Sequence, residues 1–325
     1  MKQSIQCMPV SNSSPVLITN GFDDVARFHL SSDFVFNAEE DGEVIDYDEK
    51  SQIMVVKYKS GKIKAIDLSP NIVKNGGGGF FLSNKLISSY KVGDKFKKDD
   101  VIAHHKDFFT NSKYNDCRLN VGTLAKVALM STYNTYEDGT FITEKLSKDA
   151  ATEMVFNKSV VIGKNANVEY MVHKGDKVLV GDSLIQFDTS FDDDSVNALL
   201  ANMSDENKES ILENSRNDVK AKVSGTIEDI KIYATVDTEE MSDSLKKICT
   251  SYYREINHKN NFLDKYDPDN KHSVVKCGVF VNEVAGKVKP NQYGVIKGEE
   301  VDDGVLIEFY IKHSEQLEVG SKIAK

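Results

Sequence analysis

Residues 173–185 read His-Lys-Gly-Asp-Lys-Val-Leu-Val-Gly-Asp-Ser-Leu-Ile, which places two Gly-Asp turns on either side of a short apolar stretch. Gly-Asp pairs favour tight turns, because glycine adopts positive φ without strain and the Asp side chain bonds back to the nearby backbone. The pattern recurs at residues 91–95, followed by a second turn at 98–100, and a variant stands at 318–322. Short strands between such turns predict small barrel or sandwich modules.

Apolar alternation predicts most of the other strands, and acidic caps predict two helices. The predicted strands cover residues 42–46, 52–58, 62–68, 222–233, 277–283 and 304–312. Of these, residues 222–233 carry a hairpin-edge pattern that turns at Ser224 and Gly225. The predicted helices cover about 196–215 and 238–262, the second with its cap at Asp237 to Glu240. We therefore predict a mostly β protein with helical insertions, an α+β class.

Composition limits the function classes. The chain has 325 residues, so more than one module is expected. Its formal net charge of -10 argues against a free-standing nucleic-acid binder, because counterion release needs a basic face. A subunit that contributes a local basic strip to a shared channel remains compatible with that charge. No apolar run approaches the roughly 20 residues of a membrane span, and the four cysteines lack zinc-site spacing.

Glu137 and Asp138 are the most informative acidic residues. Residues 135–146 read Thr-Tyr-Glu-Asp-Gly-Thr-Phe-Ile-Thr-Glu-Lys-Leu, and the apolar residues 124–130 precede them as an expected buried strand. Two carboxylates next to a buried strand lose hydration, which costs free energy unless a cation binds them. Two interpretations stay open from the residues alone: a water-mediated Mg²⁺ contact, or a salt bridge or turn cap.

Two further patterns have plainer interpretations. The glycines at 76–79 lack the Lys-Ser/Thr of a phosphate loop, so we expect a flexible hairpin tip. His104, His105 and Asp107 are residue types that bind metals. Adjacent residues of a strand point to opposite faces of the sheet, so we do not expect the two histidines to bind one metal ion.

A carrier-domain interpretation is the alternative for the region around residues 175–188. The Gly-Asp turns and residues 223–227, Val-Ser-Gly-Thr-Ile, look like the barrel of biotinyl and lipoyl domains. Those domains present a modified lysine at a hairpin tip. Here residues 184–188 lead into acidic residues without that lysine. A non-enzymatic barrel-containing scaffold or a carrier-like module is therefore the alternative function.

The segment at 135–146 resembles the beta subunit of multisubunit RNA polymerases, which reads Tyr-Asn-Phe-Glu-Asp, then a short apolar run and Ser-Glu-Arg-Leu. Other matches follow in the family's order over nearly the whole chain, and the ordered set is more specific than any one of them. The matching residues at this segment are Tyr136, Glu137, Asp138, Phe141, Ile142, Thr143, Glu144, Lys145 and Leu146. The other matching segments are residues 6–10, 15–16, 19–23, 42–68, 91–95, 119–122, 223–227 and 319–324.

The resemblance implies three parts and a shared catalytic machine. Residues 1–156 would be the active-centre-proximal region with hairpins and the start of an incomplete double-psi barrel. Residues 157–310 would be a flap-like domain, and residues 311–325 a return strand into the barrel. The family continues beyond the position of Lys325, which leads us to expect a split beta-like subunit, a habit of large bacteriophages. The expected location is the cytoplasm of an infected bacterial host, or a virion.

The resemblance also implies roles for individual residues. Glu137 and Asp138 would lie near the second metal and the incoming nucleotide, and Lys322 would contact RNA phosphate as a point charge. Mg²⁺ would be held mainly by a beta-prime-like partner, whose Asp-Phe-Asp-Gly-Asp run is missing here, so the isolated chain is predicted to be inactive. Other partners would be further beta-like chains, the DNA template and RNA. A promoter-specificity factor would dock on Val196, Leu199, Leu200 and Met203.

Overall fold

The structure is a computed structural model. It describes residues 10–15, 17–18, 21–74, 81–111, 117–120, 122–130, 133, 139–188, 216–234, 236–266 and 304–321. Strands account for 42% of the protein and helices for 16%, which confirms the β-rich class. The sheets are antiparallel, and within the ranges given above none of them closes into a barrel.

The chain divides into two compact units. Unit 1 contains Met1–Met154 and Ser314–Lys325, and unit 2 contains Val155–His313. The predicted boundaries, at 156/157 and 310/311, lie within three residues of the observed ones. The assignment of a flap and a barrel strand to these parts stays a prediction.

Unit 1 begins with a short helix, α1 (Phe22–Val25), and a 3-10 turn at Ala26–Phe28. Its strands form a four-stranded sheet in the order β4-β3-β2-β8, a three-stranded sheet in the order β1-β9-β7, and the hairpins β5–β6 and β10–β11. A second helix, α2, covers Glu144–Asp149. The strands are β1 (Val35–Asn37), β2 (Gly42–Asp48), β3 (Ile53–Tyr58), β4 (Ile63–Asp67), β5 (Asn71–Lys74), β6 (Phe81–Asn84), β7 (Leu86–Ile87), β8 (Lys95–Phe96), β9 (Val101–His105), β10 (Phe109–Asn111) and β11 (Cys117–Leu119).

Two separate hydrophobic clusters support unit 1. The larger one joins the four-stranded sheet to β1, β7 and β9 through residues such as Val56, Tyr58, Phe96 and Ile102. Tyr58 and Phe96 meet edge to face, with ring centroids 6.0 Å apart. A smaller cluster of Val35, Val101, Phe109 and Cys117 lies beside it. The predicted hairpin at 42–58 is confirmed as β2–β3, paired from Gly42↔Tyr58 to Asp48↔Ile53.

Unit 2 has two sheets and a long helix. One sheet has the order β13-β15-β16, and the other contains the neighbours β14-β17-β18-β12. The strands are β12 (Thr152–Gly163), β13 (Asn167–Met171), β14 (Lys177–Val178), β15 (Ser183–Asp188), β16 (Arg216–Lys220), β17 (Gly225–Ala234) and β18 (Gly304–Glu315). The alternating residues of β18 from Val305 to Ile311 lie in the core as predicted, together with β15, β17 and the helix.

The hairpin predicted within 222–233 is wrong. β17 begins at Gly225, and the preceding strand β16 ends at Lys220 in the other sheet, so the chain crosses between sheets here. Glycine at 225 is required by close approach, since a Cβ there would lie 2.2 Å from the Lys312 carbonyl oxygen. The predicted strand at 277–283 and helix at 196–215 lie outside the described residues.

The long helix, α3 (Asp243–Asp264), starts later than predicted. Thr238–Glu240 forms a 3-10 turn, and Met241 then returns to extended backbone with its side chain in the core. Ser242 is the N-cap, because its Oγ accepts a hydrogen bond from the Leu245 N–H at 3.4 Å. The expected apolar stripe is confirmed for Met241 and Leu245 in the core, with Ile248 and Tyr252 packed against it.

Five turns share one hydrogen-bonding pattern, which confirms the turn chemistry read from the sequence. Each turn has four residues. The backbone N–H of its fourth residue donates to the carbonyl of its first residue, and the side-chain oxygen of the fourth residue accepts a hydrogen bond from the N–H of the first. The third residue has φ between 67° and 95°. We name them turn A (Lys91–Asp94), turn B (Lys97–Asp100), turn C (His173–Asp176), turn D (Leu179–Asp182) and turn E (Glu318–Ser321).

Candidate functional site

Every residue for which the sequence predicts a role lies outside the described part of the chain. These residues are Glu137, Asp138, Lys322, Val196, Leu199, Leu200 and Met203. The glycines at 76–79 lie outside it as well. The structure does describe the chain on both sides of the acidic pair, and that frame defines the candidate site.

The approach to the acidic pair differs from the prediction. Residues 124–130 were expected to form a buried strand, but they form no strand and all seven are exposed. The exposed fraction reaches 81% at Val127, 98% at Leu129 and 74% at Met130. Apolar residue types do not by themselves determine burial, because apolar atoms also supply more than half of a folded protein's accessible surface, and this is why the sequence prediction failed here.

The exit from the acidic pair is a capped helix. Thr143 Oγ1 accepts a hydrogen bond from the Leu146 N–H at 3.1 Å and so starts α2. Glu144 and Lys148 form an i,i+4 ion pair at 2.5 Å on its exposed side. Phe141, just before the cap, is 60% exposed. The matching residues Thr143 to Leu146 therefore serve as a helix start that fixes where the preceding loop ends.

Both ends of this frame are anchored to the N-terminal segment. The Ser14 N–H donates to the Gly122 carbonyl at 2.8 Å, and Thr123 Oγ1 donates to the Asn12 carbonyl at 3.1 Å. On the other side, the Ser11 N–H donates to the Ala151 carbonyl at 2.8 Å. Residues 11–14, Ser-Asn-Ser-Ser, thus form hydrogen bonds with Gly122, Thr123 and Ala151, which precede and follow the acidic pair in the sequence.

The C-terminal segment reaches the same frame. Ser147 Oγ, on α2, donates to the Leu317 carbonyl at 2.7 Å, immediately before turn E. Three parts of the chain that lie far apart in the sequence, near residues 11–14, 122–151 and 317, are therefore joined by hydrogen bonds. Sequence reasoning missed these contacts of residues 11–14 and Ser147, because backbone and hydroxyl groups that bind distant partners follow no local pattern.

More apolar surface is exposed elsewhere in unit 1. Phe22 is 59% exposed and Phe28 48%, on α1 and the 3-10 turn that follows it. The Arg27 guanidinium lies 4.6 Å from the centroid of the Phe28 ring. A large side chain that stays exposed in a folded unit is a candidate contact for a partner.

The histidine pair is built into the core of unit 1. His104 and His105 are both buried on β9, and burial lowers the pKa of His104. His105 Nδ1 accepts from the Asp107 N–H at 3.1 Å, and its ring lies 4.6 Å from Phe108. Within the ranges that the structure covers, no three His, Cys, Asp or Glu side chains are grouped as a metal site would need.

Unit 2 contains a buried carboxyl group at Glu308. Its side chain is 2% exposed, and Tyr310 donates its hydroxyl to Oε2 at 2.8 Å, while Oε1 has no hydrogen-bond partner. Burial raises the pKa of Glu308, and the Tyr310 hydrogen bond, the Lys231 charge and Asn157 partly oppose that rise. The Lys231 ammonium lies 5.2 Å from the Tyr310 ring centroid. Among the described residues of unit 2, Glu308 is the only charged residue that is buried.

A surface ion-pair network belongs to unit 1. Glu39 accepts hydrogen bonds from Lys62 and Lys64, both at 2.8 Å, and these lower the pKa of Glu39 to about 2. Asp41 pairs with Lys59 at 2.6 Å, and its Oδ1 accepts from the Lys98 N–H at 2.9 Å. Glu39 and Asp41 therefore place negative charge next to three lysines of this surface, Lys59, Lys62 and Lys64.

Comparisons with known proteins leave the family open. No protein-family model matches the chain, and no curated protein sequence matches it either. Among the described helices, none is long and apolar enough to cross a membrane.

Proposed function

We propose that this chain is part of the catalytic core of a multisubunit DNA-directed RNA polymerase. The reaction is nucleotidyl transfer from nucleoside triphosphates to the RNA 3′ end on a DNA template. The chain acts as a beta-like subunit together with other beta-like chains and a beta-prime-like chain. Alone it is inactive, because the Asp cluster that binds Mg²⁺ belongs to the partner.

One observation carries the proposal: the exposed apolar run at residues 124–130 leads directly into the acidic pair that matches the polymerase family. Leu124, Val127, Leu129 and Met130 are each more than half exposed within seven consecutive exposed residues, and apolar side chains exposed together are a candidate contact for a partner. The run also starts from an anchored point, since Gly122 and Thr123 are hydrogen-bonded to residues 12–14. Both features are expected if this part of the chain lines an active centre that other chains complete.

The dispersed matches add support. Residues 11–14, 122–123, 147–151 and 317 lie in or beside different matching segments, and hydrogen bonds bring them together. Chance similarity in short turn motifs would not require that convergence. The small barrel or sandwich modules, the flap and the incomplete double-psi barrel are the finer fold features that this proposal includes.

The proposed roles follow from the chemistry of phosphoryl transfer, in which divalent metals and positioning carry most of the catalysis. Glu137 and Asp138 accept water-mediated contacts from the second metal or orient the incoming nucleotide. Lys322 neutralises an RNA phosphate near the 3′ end.

Unit 2 is the proposed flap, beside the path of the RNA. Val196, Leu199, Leu200 and Met203 offer an apolar helix face to a promoter-specificity factor. Replacing Leu199 and Leu200 with Glu tests this role. Promoter-specific initiation should fall while elongation on a primed template stays the same, and unchanged initiation would remove the assignment.

The polymerase proposal is tested by recovering the native complex through a tag on this chain. A companion chain with an Asp-Phe-Asp-Gly-Asp sequence should be present, and the complex should extend RNA on a DNA template. Recovery of the chain alone, or of a complex that makes no RNA, rejects the proposal and favours the scaffold or carrier alternative.

Point variants then test the acidic pair. Asp138→Asn should lower RNA synthesis by about tenfold or more at saturating nucleotide, because a carboxylate that acts near the metal cannot be replaced by an amide. The matched control is Glu144→Gln, which removes an exposed carboxylate six residues away whose partner is Lys148. Equal activity of the two variants would show that the pair is a structural cap.

A further inference from the structure

The two units contain the same arrangement of turns and strands. In unit 1, turns A and B enclose β8 and lead into β9, and in unit 2, turns C and D enclose β14 and lead into β15. Turns A and C form paired backbone hydrogen bonds with Val44 and Ile227, and turns B and D form the same pair with Ala38 and Ala221, all between 2.8 and 2.9 Å. The chain order differs, because β1 and β2 precede their turns whereas β16 and β17 follow theirs.

The correspondence extends to single residues of the strands. A Cβ atom at Gly42 in β2 or at Gly225 in β17 would lie 2.4 Å or 2.2 Å, respectively, from a carbonyl oxygen of the neighbouring strand. The register shift of each ladder directly follows the residue that the turn binds, after Val44 in β2 and after Ile227 in β17. Positions in the two units can therefore be matched by their place relative to the turns. The matched pairs include Tyr90 and Val172, Asp94 and Asp176, Phe96 and Val178, and Asp100 and Asp182.

In unit 1, the phenol ring of Tyr90 lies beside the carboxylates of turns A and B. The ring packs against the larger hydrophobic cluster and meets Phe96 edge to face, with ring centroids 6.2 Å apart. Burial raises the pKa of Tyr90, and the charge of Asp100, the hydrogen bond to Asp100 and the charge of Asp94 raise it further. Tyr90 therefore shows which chemical group this space accepts when it is filled.

In unit 2, the corresponding space is a cleft of about 490 Å³. Val172 occupies the position of Tyr90, and Val178 occupies that of Phe96, so two aromatic rings of unit 1 correspond to small side chains here. Clefts that bind small molecules usually have volumes of roughly 300–1,000 Å³ and combine apolar walls with a few polar groups. The lining of this cleft includes Tyr170, Val172, Asp176, Val178, Asp182 and Gln186.

The two carboxylates of the cleft are held in place. Oδ2 of Asp176 and Oδ2 of Asp182 each accept a hydrogen bond from a backbone N–H of their own turn at 2.7 Å. An ionised carboxylate can accept about four hydrogen bonds, so each can accept a further one from a ligand. Asp100 combines both kinds of bond in unit 1, since it accepts from the Lys97 N–H at 2.7 Å and from the Tyr90 hydroxyl. Acceptors that are already fixed bind a ligand at lower entropic cost.

We infer that the cleft of unit 2 binds a phenol ring, whose hydroxyl donates to the Asp182 carboxylate and whose ring packs on Val178, as Tyr90 does on the matching residues of unit 1. Two carboxylates alone would favour a cation. However, Lys177 also lines the cleft, and the group in the matching space of unit 1 is a neutral donor on an aromatic ring. The inference holds whether or not the chain belongs to a polymerase.

Titration of the full chain with p-cresol tests the inference, followed by the amide chemical shifts of β14 and β15. We expect these amides to shift with a dissociation constant on the order of 1 mM, as suits a ligand of so few atoms. The control ligand is 4-methylanisole, which has the same shape but cannot donate a hydrogen bond, and it should bind about tenfold more weakly or less. Equal binding of the two ligands would overturn the inference. So would the absence of shifts with p-cresol, whether the cleft takes no phenol or another part of the chain fills it.

A matched pair of variants exchanges the two units' residues. Val172→Tyr should fill the cleft with its own ring and weaken p-cresol binding by about tenfold or more. Tyr90→Val should open the matching space in unit 1, so that the chain binds a second p-cresol and the β8 and β9 amides also shift. A folded Val172→Tyr chain that binds p-cresol like wild type would overturn the inference. If Tyr90→Val gains no second site, the two spaces are not equivalent and the case for a phenol fails.

The source of the phenol is separated by a second pair of ligands. N-acetyl-tyrosinamide carries the same ring on a peptide backbone. If it binds about tenfold more tightly than p-cresol, the natural ligand is a tyrosine side chain of a polypeptide, and if it binds more weakly, the ligand is a small phenolic compound. N-acetyl-phenylalaninamide lacks the hydroxyl, and binding as tight as that of the tyrosine compound would overturn the inference.

Discussion

The two units handle their apolar side chains differently. Unit 2 gathers strands from both sheets and α3 around one continuous core, and its large exposed apolar side chains are limited to Val161, Tyr170, Leu179 and Val180 among the described residues. Unit 1 has two smaller clusters and leaves many more exposed, including Phe22 and the run at 124–130. Among the described residues, unit 2 therefore buries its apolar side chains more completely than unit 1 does.

The largest expected effect comes from truncating equivalent apolar residues in the two units. Phe309→Ala removes a fully buried ring from the unit 2 core and should lower the free energy of unfolding by about 3–5 kcal/mol. Leu129→Ala removes a side chain that is 98% exposed and should change it by about 0.5 kcal/mol or less. Exchange of the β18 amides and denaturant unfolding followed by circular dichroism measure these values, since the chain has no Trp.

For assembly with companion chains, we expect the larger effect at Leu129 and not at Phe309. Leu129→Glu should abolish recovery of companion chains without destabilising the isolated chain, because it places a charge in a surface that we expect to be covered. A Leu129→Glu variant that still assembles normally would remove the contrast between the units.

A smaller effect concerns the buried carboxyl group of unit 2. Burial raises the pKa of Glu308 above 4.5, so its folded form favours the proton. The associated stability is fully present below pH 4.5 and is lost as the pH rises through the folded pKa. Glu308→Gln keeps an acceptor for Tyr310 and removes the charge, so at pH 7 it should stabilise unit 2 by on the order of 1 kcal/mol.

Unfolding of wild type and Glu308→Gln between pH 4 and 8 measures this difference, which should grow with pH. Tyr310→Phe is the control for the hydrogen bond alone. If Glu308→Gln destabilises unit 2 at pH 7, attraction to Lys231 outweighs the cost of burying the charge.

The smallest expected effect belongs to the surface of unit 1. Lys62 and Lys64 lower the pKa of Glu39 to about 2, so its contribution to stability is present above pH 4.5 and is lost between pH 4.5 and 2. The carboxylate is nearly half exposed, so screening by solvent keeps that contribution below about 1 kcal/mol.

Glu39→Gln should therefore lie slightly below wild type at pH 6 and match it at pH 2 in acid unfolding of unit 1. Raising the salt concentration to 1 M should shrink the difference at pH 6. A difference that persists at pH 2 would point to lost packing instead of lost charge.

Local chemistry predicted much of the fold. The turns, the hairpin β2–β3 and the alternating strand β18 follow from glycine, Asp and apolar periodicity, and all three are present. The start of α3 was missed because Met241 is drawn into the core as extended backbone, which leaves Ser242 as the cap. The requirement for glycine at position 225 was missed because it comes from the close approach of the Lys312 carbonyl, which is far away in the sequence.

The candidate site could be predicted only in part. Thr143 and Glu144 were recognised from the motif, and the structure gives them a physical role as cap and first helical residue. The exposure of residues 124–130 could not be predicted, because the same apolar residue types occur in buried strands and in exposed irregular segments. Hydroxyl anchors such as Ser11 and Ser147 depend on tertiary contacts, which a single sequence does not encode locally.

The hydrogen bonds between the turns and distant strands have a consequence for the order of events during folding. The internal bonds of each turn are local and should form early. Turn A also bonds to Val44, and turn C to Ile227, through both backbone groups of each residue. These bonds join segments far apart in the chain and should form late, so the slow step of folding should be the docking of those strands on turns that already exist.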